Sequence, residues 1–416
     1  MSEWVAYDDG TAPAPEHLAA GHPPRHYSAW VEVDLDALVR NYRLISAHIA
    51  PAKMIAVVKA YGLGTGTVMA GKALEEAGIY MLAVSNFHEA LQLRQAGTRC
   101  PILAMNGLLS EQMEMAIAQD ISFFVFDAES LRTASTLGKK LGRRARIHIK
   151  VDTGMGRLGI LPEQAGAIKS LLDSLEWLDL EGVASHIASP IAAEHNHFTF
   201  RQYTTFMRAC QTIDPAHTVI WHISSSNTVM RLPELNMDAV RCQAILWGVS
   251  YIWPAPWPLR PVASYKARLV QVKALPEGHN VGYRLKFHTG RPTQLGVLPL
   301  GTIDGLTAEH AGRGYVLVRG QRCPILAVCT CESMVDVTDA PGAQAGDQVV
   351  LVGKQGSETI TAMEFAEMGG ITFMNLLTKT GARVPRIYRQ DGAGSPDAQD
   401  EVSTNASPAA PLLGGE

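Results

Sequence analysis

At 416 residues the chain is long enough for two domains, each with its own core. An apolar content of 47% and a net charge of −4 read as a soluble globular protein. There is no basic excess to suggest nucleic acid, no polybasic patch to suggest an anionic membrane surface, and no run approaching the ~20 uninterrupted apolar residues that span a bilayer.

Residues 1–27, rich in Ala, Pro, Gly and His, are expected to form a disordered tail. Met1 to Asp9 are acidic and lack the basic and apolar regions of a secretory signal, so a cytoplasmic protein is expected. The cysteines (Cys100, Cys210, Cys242, Cys323, Cys329, Cys331) have no framework spacing and read as reduced thiols. Cys329 and Cys331 fall on one face of a predicted strand, but two thiolates are too few for a structural zinc site, and no metal is expected.

From Met54 to about Val249, short apolar runs alternate with amphipathic stretches. Strands are predicted at 54–58, 80–84, 101–105, 121–126, 145–151, 180–186, 218–223 and 241–246. Helices are predicted between them, including 68–77, 87–96, 109–119, 128–141 and 197–213. Eight such units point to an α/β architecture of (β/α)8 barrel type over residues 53–258, with a doubly wound open sheet as the alternative. The barrel is preferred because Lys59, Arg157, His186 and Ser224 to Ser226 all fall at the C-terminal ends of strands, which meet at one mouth in a barrel.

After Pro261 the texture changes. Segments with period two, such as 266–272, 294–299, 315–318 and 348–352, are separated by Gly, Pro and Asp turns and predict a C-terminal antiparallel β-domain over residues 259–389. Residues 390–416 are expected to be a second disordered tail.

Lys59 closes the apolar run that begins at Met54 and precedes the glycine-rich turn from Ala60 to Gly66. A lone lysine at a strand end ordinarily snorkels to water. A desolvated one has a lowered pKa and is a competent Schiff-base nucleophile. A second strand-then-loop, Ile147 to Gly159, carries Lys150 at its strand end and Arg157 in its loop.

Val57, Val58, Lys59 and Ala60, together with the unbroken run from Lys150 to Gly159, resemble the two signatures of the alanine racemase family, a fold-type III group that uses pyridoxal 5'-phosphate (PLP). The likeness runs from about Trp30 to Tyr388. It implies that residues 28–52 form a strand and helix joining the two domains, with the strand from Trp30 to Asp34 belonging to the β-domain. It further implies that Lys59 is the cofactor lysine and the base on one face of the substrate, with Tyr283, donated by the partner of a homodimer, as the base on the other. Arg241 is the implied contact of the pyridine nitrogen, and His186 bridges it to Tyr283. Ser226 and the backbone N–H groups of Gln243 and Ala244 are the implied phosphate donors, Arg157 and Thr330 the substrate-binding residues, and Lys150 the brace of Arg157 that is carbamylated in some members.

An arginine cannot protonate the pyridine nitrogen, so the ring is a weaker electron sink and reprotonation at Cα is favoured over transamination. A phenol with a pKa near ~10 needs help from neighbours such as Arg157 and His186 to act as a base.

Other positions depart from the family. One phosphate-binding tyrosine falls at Leu63 without a gap or at Tyr61 with one, and the second falls at Ala382, leaving Thr380 or Thr65 to complete the cup. At the substrate gate Thr302 and Thr330 stand where the family has Tyr and Met, which enlarges the space. The expected function is racemisation of alanine, or of a somewhat larger amino acid. The alternatives are another PLP reaction such as decarboxylation, or a non-catalytic PLP-binding protein. A small amino acid is the expected partner, with no nucleic acid and no membrane.

Overall fold

The computed structural model describes residues 26–252, 254–380 and 383–390. The two predicted tails, apart from their innermost residues, and Ala382 lie outside the described residues.

The first strand, β1 (Ala29–Asp34), leads through a helix over Leu35–Ile49 into the barrel. Asp34 starts that helix by accepting the N–H of Ala37 at 2.8 Å, one of the donors that a helix N-terminus leaves unpaired. The barrel strands are β2 (Lys53–Val57), β3 (Met81–Val84), β4 (Ile102–Ala104) and β5 (Ser122–Val125). They continue as β6 (Ala145–Lys150), β7 (Leu178–Ala184), β8 (Ile220–His222) and β9 (Ala239–Cys242). Their parallel order is β8-β7-β6-β5-β4-β3-β2-β9, so the last strand returns to pair with β2. That return excludes the doubly wound open sheet. An isolated parallel bridge between Ser225 and Arg241 joins β8 to β9 and nearly completes the circle.

The last strand begins two residues before the predicted one, and 243–246 is a turn. On β6 the period-two alternation sorts side chains cleanly. Ala145, Ile147 and Ile149 pack outward into the main core, while His148 and Lys150 turn to the lumen with Phe124.

The C-terminal domain contains β10 (Ala263–Arg268), β11 (Gln271–Leu275), β12 (Asn280–Val281), β13 (Phe287–His288) and β14 (Thr293–Leu298). It continues through β15 (Tyr315–Val318), β16 (Gln321–Val328), β17 (Ser333–Asp336), β18 (Gln348–Gln355), β19 (Glu358–Ile360) and β20 (Arg386–Arg389). The main sheet has the order β11-β14-β17-β16-β15-β18-β10-β1-β20, with β19 paired to β18. The segment predicted as one strand over 266–272 is two. Leu269 N bonds Asp347 O and Val270 N bonds Val297 O, so the chain changes neighbours at this corner. No Gly, Pro, Asn or Asp marks the corner, and only a slip of phase at the adjacent Leu269 and Val270 betrays it, which is why the segment reads as a single strand.

β1 pairs antiparallel with β10 and parallel with β20, so the sheet is built on the residues that enter the barrel. The fully buried Asn41 ties the two parts. Its amide donates to Leu246 O at 3.0 Å and Arg260 O at 2.7 Å and accepts from Arg260 N at 2.9 Å. A helix over Phe373–Lys379 closes on the turn after Lys59 so tightly that a Cβ on Gly64 would lie 2.0 Å from Leu377 O.

Candidate active site

Lys59 leaves the end of β2 and is followed by a turn in which five consecutive residues have positive φ: Ala60 (57°), Tyr61 (55°), Gly62 (57°), Leu63 (55°) and Gly64 (84°). Left-handed backbone costs a non-glycine residue roughly 1–2 kcal/mol, so this turn needs support. Glu89 supplies it. Its Oε1 accepts from Ala60 N at 2.6 Å and Tyr61 N at 3.4 Å, while Oε2 accepts from the N–H and hydroxyl of Ser85. Burial lowers the Lys59 amine below the ordinary lysine range; Arg157 and Arg241 lower it further, against an opposing pull from Glu89.

Arg241, on β9, is buried and surrounded by acceptors. Nη2 donates to Ser185 O at 2.6 Å and to His186 Nδ1 at 3.2 Å, and Nη1 donates to His222 O at 3.0 Å and His222 Nδ1 at 2.6 Å. Burial, then the nearby Arg157, brings its guanidinium down to about 10, still a cation at neutral pH. His186 and His222 are held well below the usual histidine range, first by burial and then by Arg241. A guanidinium only donates, so both imidazoles accept at Nδ1, and His186 keeps its proton on Nε2 for a partner at the mouth.

Arg157 stands in an exposed loop organised by Asp152, whose Oδ1 accepts from Gly154, Met155 and Gly156 N and whose Oδ2 accepts from Arg157 N at 2.9 Å. Burial pushes the Asp152 carboxyl up, but these four N–H groups overcome it and leave the pKa lowered. Gly159 is required here: at φ 139° its Cβ would lie 2.4 Å from Asp152 N. Lys150, fully enclosed beneath this loop, is lowered well below the lysine range by burial, then by Arg241 and Arg157.

Ser226 Oγ accepts from Gln243 N at 3.0 Å, and the Gln243 side chain reaches Lys59 O at 3.2 Å, with Ala244 buried beside them. Of the two candidates in the first signature, Leu63 is fully buried in the core, whereas the Tyr61 ring lies 5.3 Å from the Arg386 guanidinium. Of the two, only Tyr61 has a polar end to offer. Thr65 donates to Gly62 O and accepts from Trp247 Nε1, and Thr380 donates to Leu376 O, so neither hydroxyl is available to complete a phosphate cup.

Lys59, Arg157, His186, Ser226, Arg241, Gln243 and Ala244 thus gather at the barrel mouth. Tyr283, Thr302 and Thr330 lie on the β-domain. Tyr283, in a short turn over Tyr283–Leu285, is 77% exposed. Among the described residues, the charged groups acting on Lys59 and His186 all come from the barrel. Thr302 and Thr330 are exposed on two facing segments joined by Thr302 N to Cys329 O and Ile303 N to Thr330 O. The buried Asp304 anchors this pair with two 2.6 Å bonds from Arg383. Sequence reading missed Glu89 and His222: the first resembles an ordinary first-turn helix carboxylate, and the second reads as one more buried strand residue ahead of Ser226.

A (β/α)8 barrel with a buried lysine and a buried arginine at the C-terminal ends of its strands, joined to an antiparallel β-domain, is the architecture of a barrel enzyme. The chain belongs to the alanine racemase family: its N-terminal domain matches residues 33–251 and its C-terminal domain residues 262–388. It is 35% identical to the alanine racemase of Symbiobacterium thermophilum, over 86% of this chain and 96% of that one. It is 34% identical to that of Methanococcus maripaludis, over 86% and 98%. The alanine racemase of Streptomyces lavendulae superposes with a TM-score of 0.83 at 30% identity, covering 89% of this chain and 98% of the other. The Bartonella henselae alanine racemase with covalently bound pyridoxal phosphate superposes with a TM-score of 0.79 at 28% identity, covering 87% and 99%. The chain is an amino-acid racemase, an isomerase, and its cofactor is PLP.

Proposed function

We propose that this protein interconverts L- and D-alanine in the cytoplasm as a homodimer, with Lys59 and Tyr283 of the partner subunit as the two bases. The observation that carries the reading is the Lys59 amine, lowered by burial beside a buried arginine. The donor set fits the cofactor: Lys59 for the aldehyde carbon, Ser226 Oγ and Tyr61 for the phosphate, Arg241 for the ring nitrogen. Bound there, PLP supplies an electron sink that acidifies the Cα–H of an amino acid.

The protein's own groups do the rest. Lys59, with its lowered pKa, accepts and returns the Cα proton on one face. Arg157 provides the cation for the substrate carboxylate. Arg241 retains its proton and so donates none to the ring nitrogen, which favours return of the proton to Cα. His186 Nε2–H is directed to the phenol oxygen of Tyr283 of the partner subunit and stabilises its anionic form. The exposure of Tyr283 within one chain and the barrel-only surroundings of Lys59 support donation across a dimer. Thr302 and Thr330 at the gate favour acceptance of side chains larger than methyl, and Thr330 is placed with the substrate-binding residues.

Incubating the PLP-loaded protein with L-alanine and separating the enantiomers by chiral chromatography tests this. Formation of D-alanine to an equal mixture is expected. Release of CO2, or no change, overturns it.

A further inference from the structure

A line of buried groups runs from Arg241 away from the mouth. His222 Nε2 lies 3.0 Å from His148 Nδ1. The other nitrogen of His148, Nε2, has no hydrogen-bond partner and stands 3.7 Å from Glu181 Oε2, beyond hydrogen-bond length but close enough for charge to act. Glu181 accepts from Ser122 Oγ at 2.5 Å and pairs with Arg146 Nε at 3.0 Å. Both imidazoles are fully buried.

The space for this line is built into the strands. A Cβ on Gly182 would lie 2.4 Å from His148 Nδ1, and the pairing of β6 with β7 shifts register between Ile147 and His148. The Phe124 ring flanks both imidazoles, with centroids 6.3 Å away in each case. Burial pushes the Glu181 carboxyl up, but His148, Ser122 and Arg146 overcome it and hold its pKa below the usual range, so it remains an anion.

The two ends fix the direction of every proton between them. The Arg241 guanidinium can only donate, so His222 accepts at Nδ1 and carries its proton on Nε2. That proton points to His148 Nδ1, which places the His148 proton on Nε2, facing a carboxylate that can only accept. Were His148 to carry its proton on Nδ1, His222 would have to accept it at Nε2 and hold its own proton on Nδ1. An N–H would then face the Arg241 N–H across 2.6 Å, and the guanidinium could not stay where it is.

We propose that Glu181 is a positioning residue for Arg241, acting through His148 and His222 by locking both imidazoles as the Nε2–H tautomer. Its effect on turnover rests on the role given to Arg241 above; its effect on the tautomers does not. Nitrogen NMR of the cofactor-free protein labelled with 15N-histidine reads them directly, with His148→Asn and His222→Asn assigning the signals. Both rings are expected to show a bare Nδ1 and a protonated Nε2. In Glu181→Gln, whose amide can offer donor or acceptor, both signals are expected to move towards a tautomer average. Loaded with PLP, that variant is expected to lose about 10–100-fold in kcat, the usual scale for an outer partner of an active-site group, with KM for alanine nearly unchanged. Glu181→Asp is expected to recover part of it.

Nδ1–H on either ring in the parent protein, or unchanged tautomers and unchanged kcat in Glu181→Gln, overturns the proposal. Should Glu181→Gln fail to fold, Ser122→Ala, which removes one bond to the same carboxylate, takes its place in the same spectra. Fixed Nε2–H tautomers in a protein that does not racemise alanine would sink the functional reading while leaving this one standing.

Discussion

Glu89 Oε1 accepts the N–H of Ala60 at 2.6 Å, so a carboxylate at the start of the helix over Phe87–Gln95 holds the residue next to Lys59. The left-handed turn it braces includes Ala60, Tyr61 and Leu63, none of which is glycine. Glu89→Ala leaves the N–H groups of Ala60 and Tyr61 without their acceptor, at a cost of about 1–3 kcal/mol for each one left unpaired. The expected result is a lower Tm together with a loss of about a hundredfold in kcat/KM, the scale of a misplaced reacting group. Unchanged melting and kinetics would show that the turn holds Lys59 without Glu89.

Acid should loosen the fold before the carboxylates titrate. His186 and His222 are neutral in the native protein and have pKa values well below 6.5, the ordinary value they regain on unfolding. The unfolded chain therefore binds protons that the folded one refuses, and stability present above pH 6.5 is lost as pH falls from there towards the folded values. Each group contributes a slope of up to roughly 1.4 kcal/mol per pH unit in that window. Differential scanning from pH 7.5 to 5 should show a falling Tm. A flat profile would mean that one or both imidazoles are protonated in the native state.

The proposed gate at Thr302 and Thr330 would set substrate breadth. A missing apolar contact is worth about 1–3 kcal/mol of discrimination, or roughly 10–200-fold in kcat/KM. Serine or a longer amino acid should therefore be racemised within about a hundredfold of alanine, and Thr302→Tyr should move the ratio back towards alanine. Activity confined to alanine in the parent protein would mean that another side chain closes the entrance.

Much of this was legible in the sequence because strand periodicity is local. The eight barrel strands and Lys59 at a strand end follow from apolar runs and their punctuation. What did not follow depends on contacts between distant segments. Glu89 reaches back 29 residues to Ala60, and His148 meets His222 across 74 residues, so neither leaves a local pattern. That Leu63 enters the core while Tyr61 packs beside Arg386 depends on the handedness of the turn, which has no local signature. Thr65 and Thr380 looked like spare donors until their carbonyl partners were seen.

The two-base reading of Lys59 and Tyr283 is tested most directly by proton exchange at Cα in Tyr283→Phe. The PLP-loaded variant is incubated in deuterium oxide with L-alanine or D-alanine, and deuterium at Cα is followed by NMR alongside chiral separation. Lys59 alone serves one face, so exchange into one enantiomer only is expected, with no conversion to the other. Racemisation at the parent rate, or exchange into both enantiomers alike, would remove Tyr283 from the chemistry.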